Sequence, residues 1–115
     1  MKARSRDLET ALLNLLDNAL RYSPPEEPIL VEILRDAERA RIGVQVSDRG
    51  PGIAKEQQAR IFERFYTTNG EGGTGLGLSI VASVAMAHRG SVEVRSEPGE
   101  GATFTLWLPL GTTAA

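Results

Sequence analysis

The sequence predicts an α+β domain, and three observations predict it. A length of 115 residues suits one domain with a single core. Two segments repeat apolar residues at helical spacing, one near the N-terminus and one after residue 75. Two pairs of short runs alternate apolar and polar residues, as half-buried strands do. Residues 1–115 read as one unit, with no repeat, linker or low-complexity stretch. Apolar content is 41% and net charge is -2, so no strong basic field points to nucleic acid or to an anionic membrane. There is no cysteine and one histidine, which argues against disulfides, thiolate metal sites and histidine-based metal sites. No run approaches the roughly 18 unbroken apolar residues of a membrane span. The longest apolar-leaning run, Gly75 to Ala87, is interrupted by Ser79 and Ser83. The start, MKARSRD, has charge but no apolar region behind it, unlike a signal peptide. The tail GTTAA is expected to fray.

The first helix is expected over Asp7 to Tyr22. Leu8, Ala11, Leu12, Leu15, Leu16, Ala19 and Leu20 recur at spacings of three and four, which marks one buried stripe. Ser5 or Asp7 suits its start, and Pro24 and Pro25 end it. On another face Asn14, Asn18 and Arg21 stand at i, i+4 and i+7. Asparagine is a mediocre helix former, so two in register have two readings. One is a solvated polar face. The other is a pair of amide oxygens for a hard cation such as Mg²⁺, with Arg21 nearby for phosphate charge.

Ile29 to Leu34 and Arg41 to Ser47 follow as an expected antiparallel hairpin, turned by the charged segment Asp36 to Ala40. Asp48 closes the second strand, before Arg49-Gly50-Pro51-Gly52-Ile53. Such a segment is compatible with a plain turn. It is equally compatible with a base slot: a carboxylate that accepts a hydrogen bond from the exocyclic amine of adenine, beside glycines that let the backbone approach a flat ring.

A helix is expected over Lys55 to Phe65, anchored by Ile61, Phe62 and Phe65. Tyr66 to Thr74 reads YTTNGEGGT, with little to bury, and is expected to stay mobile until a ligand orders it. Gly75-Leu76-Gly77-Leu78 opens a helix through Ala87, with Leu78, Val81, Ala82, Ala85 and Met86 expected inward. A glycine loop feeding a helix N-terminus suits a phosphate, and it also suits a hinge. No GK[ST] follows, so it is not a P-loop, and no strand precedes it as in a Rossmann unit. His88 is expected to cap this helix and Gly90 to end it. Ser91 to Ser96 and Ala102 to Leu108 close the chain as alternating strands, with Trp107 in a packing role and Pro109 after them.

Set side by side, NLLDNALRYSPP, DRGPGI, IFERFYTT with GTGLGLSIV, and SEPGEGATFTLWLP resemble the N, G1, F, G2 and G3 boxes of one family. It is the catalytic, ATP-binding domain of two-component sensor histidine kinases. The resemblance runs from about Leu8 to Leu110. Each box is short and common, but all of them in this order at these separations are specific.

The resemblance implies the Bergerat ATP-binding fold, a two-layer α/β sandwich whose mixed, mostly antiparallel sheet packs against about three helices. It implies ATP and Mg²⁺. Asn18 would be the metal ligand, Asn14 would sit near the phosphates, and Arg21 would touch phosphate, Asn14 and Arg21 being the catalytic pair. Tyr22 would line the pocket. Asp48 would bind the adenine amine, Gly50 and Gly52 would shape the ring's slot, and Ile53 would join them. Gly73, Gly75, Leu76 and Gly77 would wrap the phosphates, with Thr74 and Leu78 in the same nucleotide-binding set. Thr103 would assist at the base through an ordered water, and residues 67–74 would form the lid. Three departures stand out. Thr67 occupies the place after the FY pair where family lids often carry arginine. The lid is short and without a cation, which leaves Arg21 or Arg64 to neutralise the γ-phosphate. Only about six residues precede the first helix, so the sheet is expected to lack one edge strand and to present an unpaired edge.

The implied partners are a histidine-bearing dimerisation domain of the parent kinase and a response regulator downstream, with no nucleic acid and no direct membrane contact. The implied setting is cytoplasmic, in a parent anchored in the bacterial inner membrane. This chain is expected to bind Mg²⁺-ATP without completing a transfer cycle alone. Rival readings are an ATPase clamp of the gyrase kind, an anti-sigma serine kinase, or an inactive interaction module. The first two place a glutamate where Asn14 stands, and an amide has no basic carboxylate to activate water.

Overall fold

The computed structural model describes residues 5–63 and 77–110. In chain order the elements are α1 (Ser5–Tyr22), β1 (Leu30–Asp36), β2 (Arg41–Ser47), α2 (Lys55–Gln58), α3 (Gly77–Ala87), β3 (Ser91–Ser96) and β4 (Ala102–Pro109). The strands form one four-stranded sheet in the order β1-β2-β4-β3. Every pairing among the described residues is antiparallel, the antiparallel limit of the mixed sheet expected. β1 and β3 are the outer strands, and Leu30, Val31 and Ile33 of β1 are exposed.

Among the described residues, the helices cover one face of the sheet. α1 lies against β2 and α3, while α3 lies against β3 and β4. Between the layers sit Ala11, Leu15 and Ala19 from α1, Val81 and Ala85 from α3, and Val46, Phe104, Leu106 and Leu108 from the central strands. Ile61 joins them, and Phe62 meets Phe104 edge-to-face at 6.2 Å. Full burial of one such side chain stabilises by about 1.5–3 kcal/mol, so this layer is the main source of stability.

The α1 stripe is narrower than the leucine pattern suggested: Leu20 is 66% exposed, and Leu13 lies open as well. Met86, expected inward, is 79% exposed, and Ser79 takes a buried place instead. α3 is apolar nearly all round, so hydrophobicity alone did not mark its inner face. The helix expected to run from Lys55 is only Lys55–Gln58, followed by turns bonded Arg60 N to Gln57 O and Glu63 N to Arg60 O. Phe65 lies outside the described residues.

α3 ends in a Schellman motif. Arg89 adopts φ 61, Gly90 N bonds Ala85 O, and Arg89 N bonds Met86 O. The left-handed residue is thus Arg89. Gly90 is needed for another reason: a Cβ there would lie 1.9 Å from Trp107 O. His88 caps as expected, its Nδ1 being 2.9 Å from Val84 O.

Candidate nucleotide site

Asp48 follows β2 and is buried at 7% exposure. Strand alternation turns it, like Val46, toward the helix layer. Its backbone N–H donates to Ala102 O, which continues the β2–β4 pairing by one residue. Its Oδ1 accepts two backbone donors, Gly50 N at 2.8 Å and Ala102 N at 3.2 Å. Burial pushes the carboxyl above the usual aspartate range, and the amides of Gly50 and Ala102 work against that rise. Among the described residues no cation offsets the charge. The result is a fixed acceptor, anchored through one oxygen, with Oδ2 left for something else.

Glycines let distant backbone segments close around the Asp48–Ile53 stretch. A Cβ on Gly50 would lie 2.5 Å from Tyr22 O at the end of α1. One on Gly101, at φ +84, would lie 2.1 Å from Asp48 O. One on Gly52, at φ +81, would lie 2.3 Å from Glu97 O. These contacts require residues without side chains, which turns the DRGPGI stretch into a built wall. Ile53 packs on the core and donates its N–H to Ser96 Oγ.

On the helix side, Asn14 and Gly77 meet. A Cβ at Gly77 would lie 3.0 Å from Asn14 Oδ1, so the glycine admits the asparagine to the first turn of α3. Asn14 Nδ2 donates back to Thr10 O at 2.8 Å, which orients Oδ1 outward from α1. Asn18 lies one turn further along, half-buried, on the same face. Arg21 is exposed and 3.9 Å from Asp17. Leu78 packs against the core. Tyr22 is half-buried at the helix end.

Thr103 is the departure. It lies on the sheet face opposite Asp48, its hydroxyl 3.0 Å from that of Ser47. Register explains this: Ser47 pairs with Thr103, while the neighbouring Ala102 meets Asp48. The expected contact of Thr103 with the base is therefore not formed through its side chain on this side. Gly101, Ala102 and Ser96 are the residues that sequence reasoning missed. Only the strand alternation of ATFTLWL carried the signal, since it puts residue 102 on the inner face. Arg64, Thr67, Gly73, Thr74, Gly75 and Leu76 lie outside the described residues.

Among the described residues no group of three or more His, Cys, Asp or Glu side chains converges as a metal centre. Asn18, half-buried on the face of α1 that carries Asn14, offers an amide oxygen of the kind Mg²⁺ takes together with phosphate and water oxygens.

The family model described as histidine kinase-, DNA gyrase B-, and HSP90-like ATPase matches residues 3–112, and the chain belongs to this family. It is 50% identical over 107 residues to the sensor-like histidine kinase SenX3 of Mycobacterium tuberculosis, covering 89% of this chain and 26% of that protein. To the phosphate regulon sensor protein PhoR of Pseudomonas aeruginosa it is 39% identical over 110 residues, covering 91% and 24%. The solved mycobacterial sensor histidine kinase MprB superposes with TM-score 0.85 at 32% identity, over 93% of this chain and 74% of that one. Full-length ShkA in complex with AMPPNP superposes with TM-score 0.82 at 38% identity, over 95% and 22%. The chain thus spans about a quarter of the length of SenX3 and PhoR. No helix among the described residues is long and apolar enough to cross a membrane.

Proposed function

We propose that this chain binds Mg²⁺-ATP and donates the γ-phosphate to a histidine on a separate dimerisation domain, with a response regulator as the next acceptor. The observation that carries this reading is Asp48, whose Oδ1 is fixed by two amides while Oδ2 is left to accept the adenine amine. The AMPPNP complex of the similar ShkA supports it.

Each residue has a part. Asp48 reads the base, and the walls at Gly50 and Gly52 hold the ring flat. Asn14 and the N-terminus of α3 at Gly77 face the phosphates, where the helix dipole favours anions. The family resemblance would extend the phosphate-binding role to Gly73, Gly75 and Leu76. Asn18 would hold Mg²⁺, which when bound supplies charge neutralisation on the phosphates. Arg21 leaves Asp17 for phosphate, a small loss because exposed pairs are worth about 0–1 kcal/mol. Phosphoryl transfer asks for alignment and charge stabilisation more than covalent help, and these groups serve both. The acceptor lies elsewhere, since His88 is engaged as a helix cap. Asn14 in place of a glutamate argues against a clamp ATPase. The parent is proposed to be a membrane-anchored sensor with this domain in the cytoplasm.

Titrating ATP with and without Mg²⁺ tests the reading by calorimetry. Binding that strengthens with Mg²⁺, and loses that dependence in Asn18→Ala, is expected. No binding at millimolar ATP would remove the function, and an unchanged metal requirement in Asn18→Ala would remove that ligand.

A further inference from the structure

We propose that Ser96 and Gln58 are positioning residues for the base: they latch the 50–53 segment onto the β3–β4 turn and so set the width of the slot beside Asp48. The inference rests on the adenine reading above. Ser96, the last residue of β3, uses its hydroxyl in both directions. It accepts from Ile53 N at 2.8 Å and donates to Gly101 O at 2.7 Å. Gln58, the last residue of α2, donates through Nε2 to Ile53 O at 2.8 Å and to Ser96 O at 3.1 Å. A backbone bond from Gly99 N to Pro51 O completes the seam.

The seam joins the two walls that hold Asp48. On one side is the segment whose Gly50 amide grips Oδ1. On the other is Gly101, followed by Ala102, whose amide grips the same oxygen. The walls are far apart in sequence, and no strand pairing joins the 50–53 segment to the sheet. Beside the backbone bond from Gly99 to Pro51, the Ser96 hydroxyl and the Gln58 side-chain amide tie them. A hydroxyl is required at 96 because the position must accept and donate at once, which alanine cannot do and threonine can. Loss of the tie lets the walls part and frees the angle at which Oδ2 meets the base. Neither residue touches the nucleotide in this account.

The whole 115-residue chain is assayed for Mg²⁺-ATP and Mg²⁺-GTP affinity by calorimetry, with a thermal melt beside it. Ser96→Ala is expected to weaken ATP binding about tenfold and to shrink the ATP-over-GTP ratio by a similar factor. Ser96→Thr is expected to restore both to within about twofold, and Gln58→Ala to cost about threefold. A purely structural role would lower the melting temperature and leave the ratio alone. A folded Ser96→Ala with the parental ratio overturns the latch. Should that variant not fold, Gln58→Ala with the parental ratio overturns it. Asp48→Asn separates the two levels. If it erases the preference for ATP while the latch variants keep it, only the latch falls. If the parent chain shows no preference, the base reading falls and the latch with it.

Discussion

Two aspartates stand at opposite ends of the β1–β2 hairpin, and the molecule treats them in opposite ways. Asp36 ends β1 and faces Arg41 across the hairpin, with Arg41 Nε 3.0 Å from Oδ2. The Arg41 side-chain hydrogen bond holds its carboxyl below the usual range against the cost of desolvation, and the Arg39 amide lowers it further. Arg41 also lies over the Trp107 ring, 3.9 Å from its centroid, and the ring in turn covers Gly43. Asp48, at the far end, has burial and amides but no cation among the described residues, and its carboxyl is raised. One end satisfies its charge and gains local stability. The other holds a desolvated carboxylate whose Oδ2 has no donor among the described residues. That contrast separates a structural ion pair from the binding group proposed for Asp48, although both are an aspartate at a strand end.

The largest expected effect is at the ligand end. Asp48→Asn keeps an oxygen for the amides of Gly50 and Ala102 but replaces the free acceptor with a donor. ATP affinity should fall by about 2–3 kcal/mol, the scale of a charged hydrogen bond, and the preference over GTP should relax. Denaturant unfolding at neutral pH should show equal or higher stability of the unliganded variant. A large stability loss with intact selectivity would erase the contrast.

Arg41→Ala is the mirror experiment. It removes the stack on Trp107 and the partner of Asp36, and stability should fall by about 1 kcal/mol. ATP affinity should stay within about twofold, because the change lies at the other end of the sheet. A loss of binding equal to that of Asp48→Asn would show the two ends coupled.

The smallest effect sharpens the sign. The lowered carboxyl of Asp36 contributes stability that is present above its unfolded value, near 3.8, and is lost as pH falls through the lower folded value. The raised carboxyl of Asp48 does the reverse. Its contribution is present below the unfolded value and is lost as pH rises through the higher folded value. Unfolding free energies measured from pH 3 to 7 should therefore lose slope of opposite sign in Asp36→Asn and Asp48→Asn. Slopes of the same sign would refute this assignment.

Much of this was legible in the chain. The helix at 7–22, the hairpin with its strand over Arg41–Ser47, and the closing strands follow from local periodicity, which a linear pattern records directly. Asp48 and its glycines were legible as a motif because turn chemistry leaves a composition signature. Local pattern failed where only neighbours decide. Leu20 and Met86 fit the helical stripes yet lie in solvent, because the partner layer does not reach them. Thr103 fits a polar site residue yet bonds Ser47 on the far face, because register set by β2 assigns its side.

The sequence by itself determined most of the elements and the family, and it singled out Asp48 as a candidate acceptor, since each depends on residues near one another in the chain. The tertiary structure alone decided what surrounds that acceptor. Tyr22, Ser96, Gly101 and Ala102 come from three distant segments, and they meet Asp48 and its glycines only after the sheet has closed and α1 has packed on it. Contacts between distant segments leave no periodic trace in the chain, so packing had to reveal them.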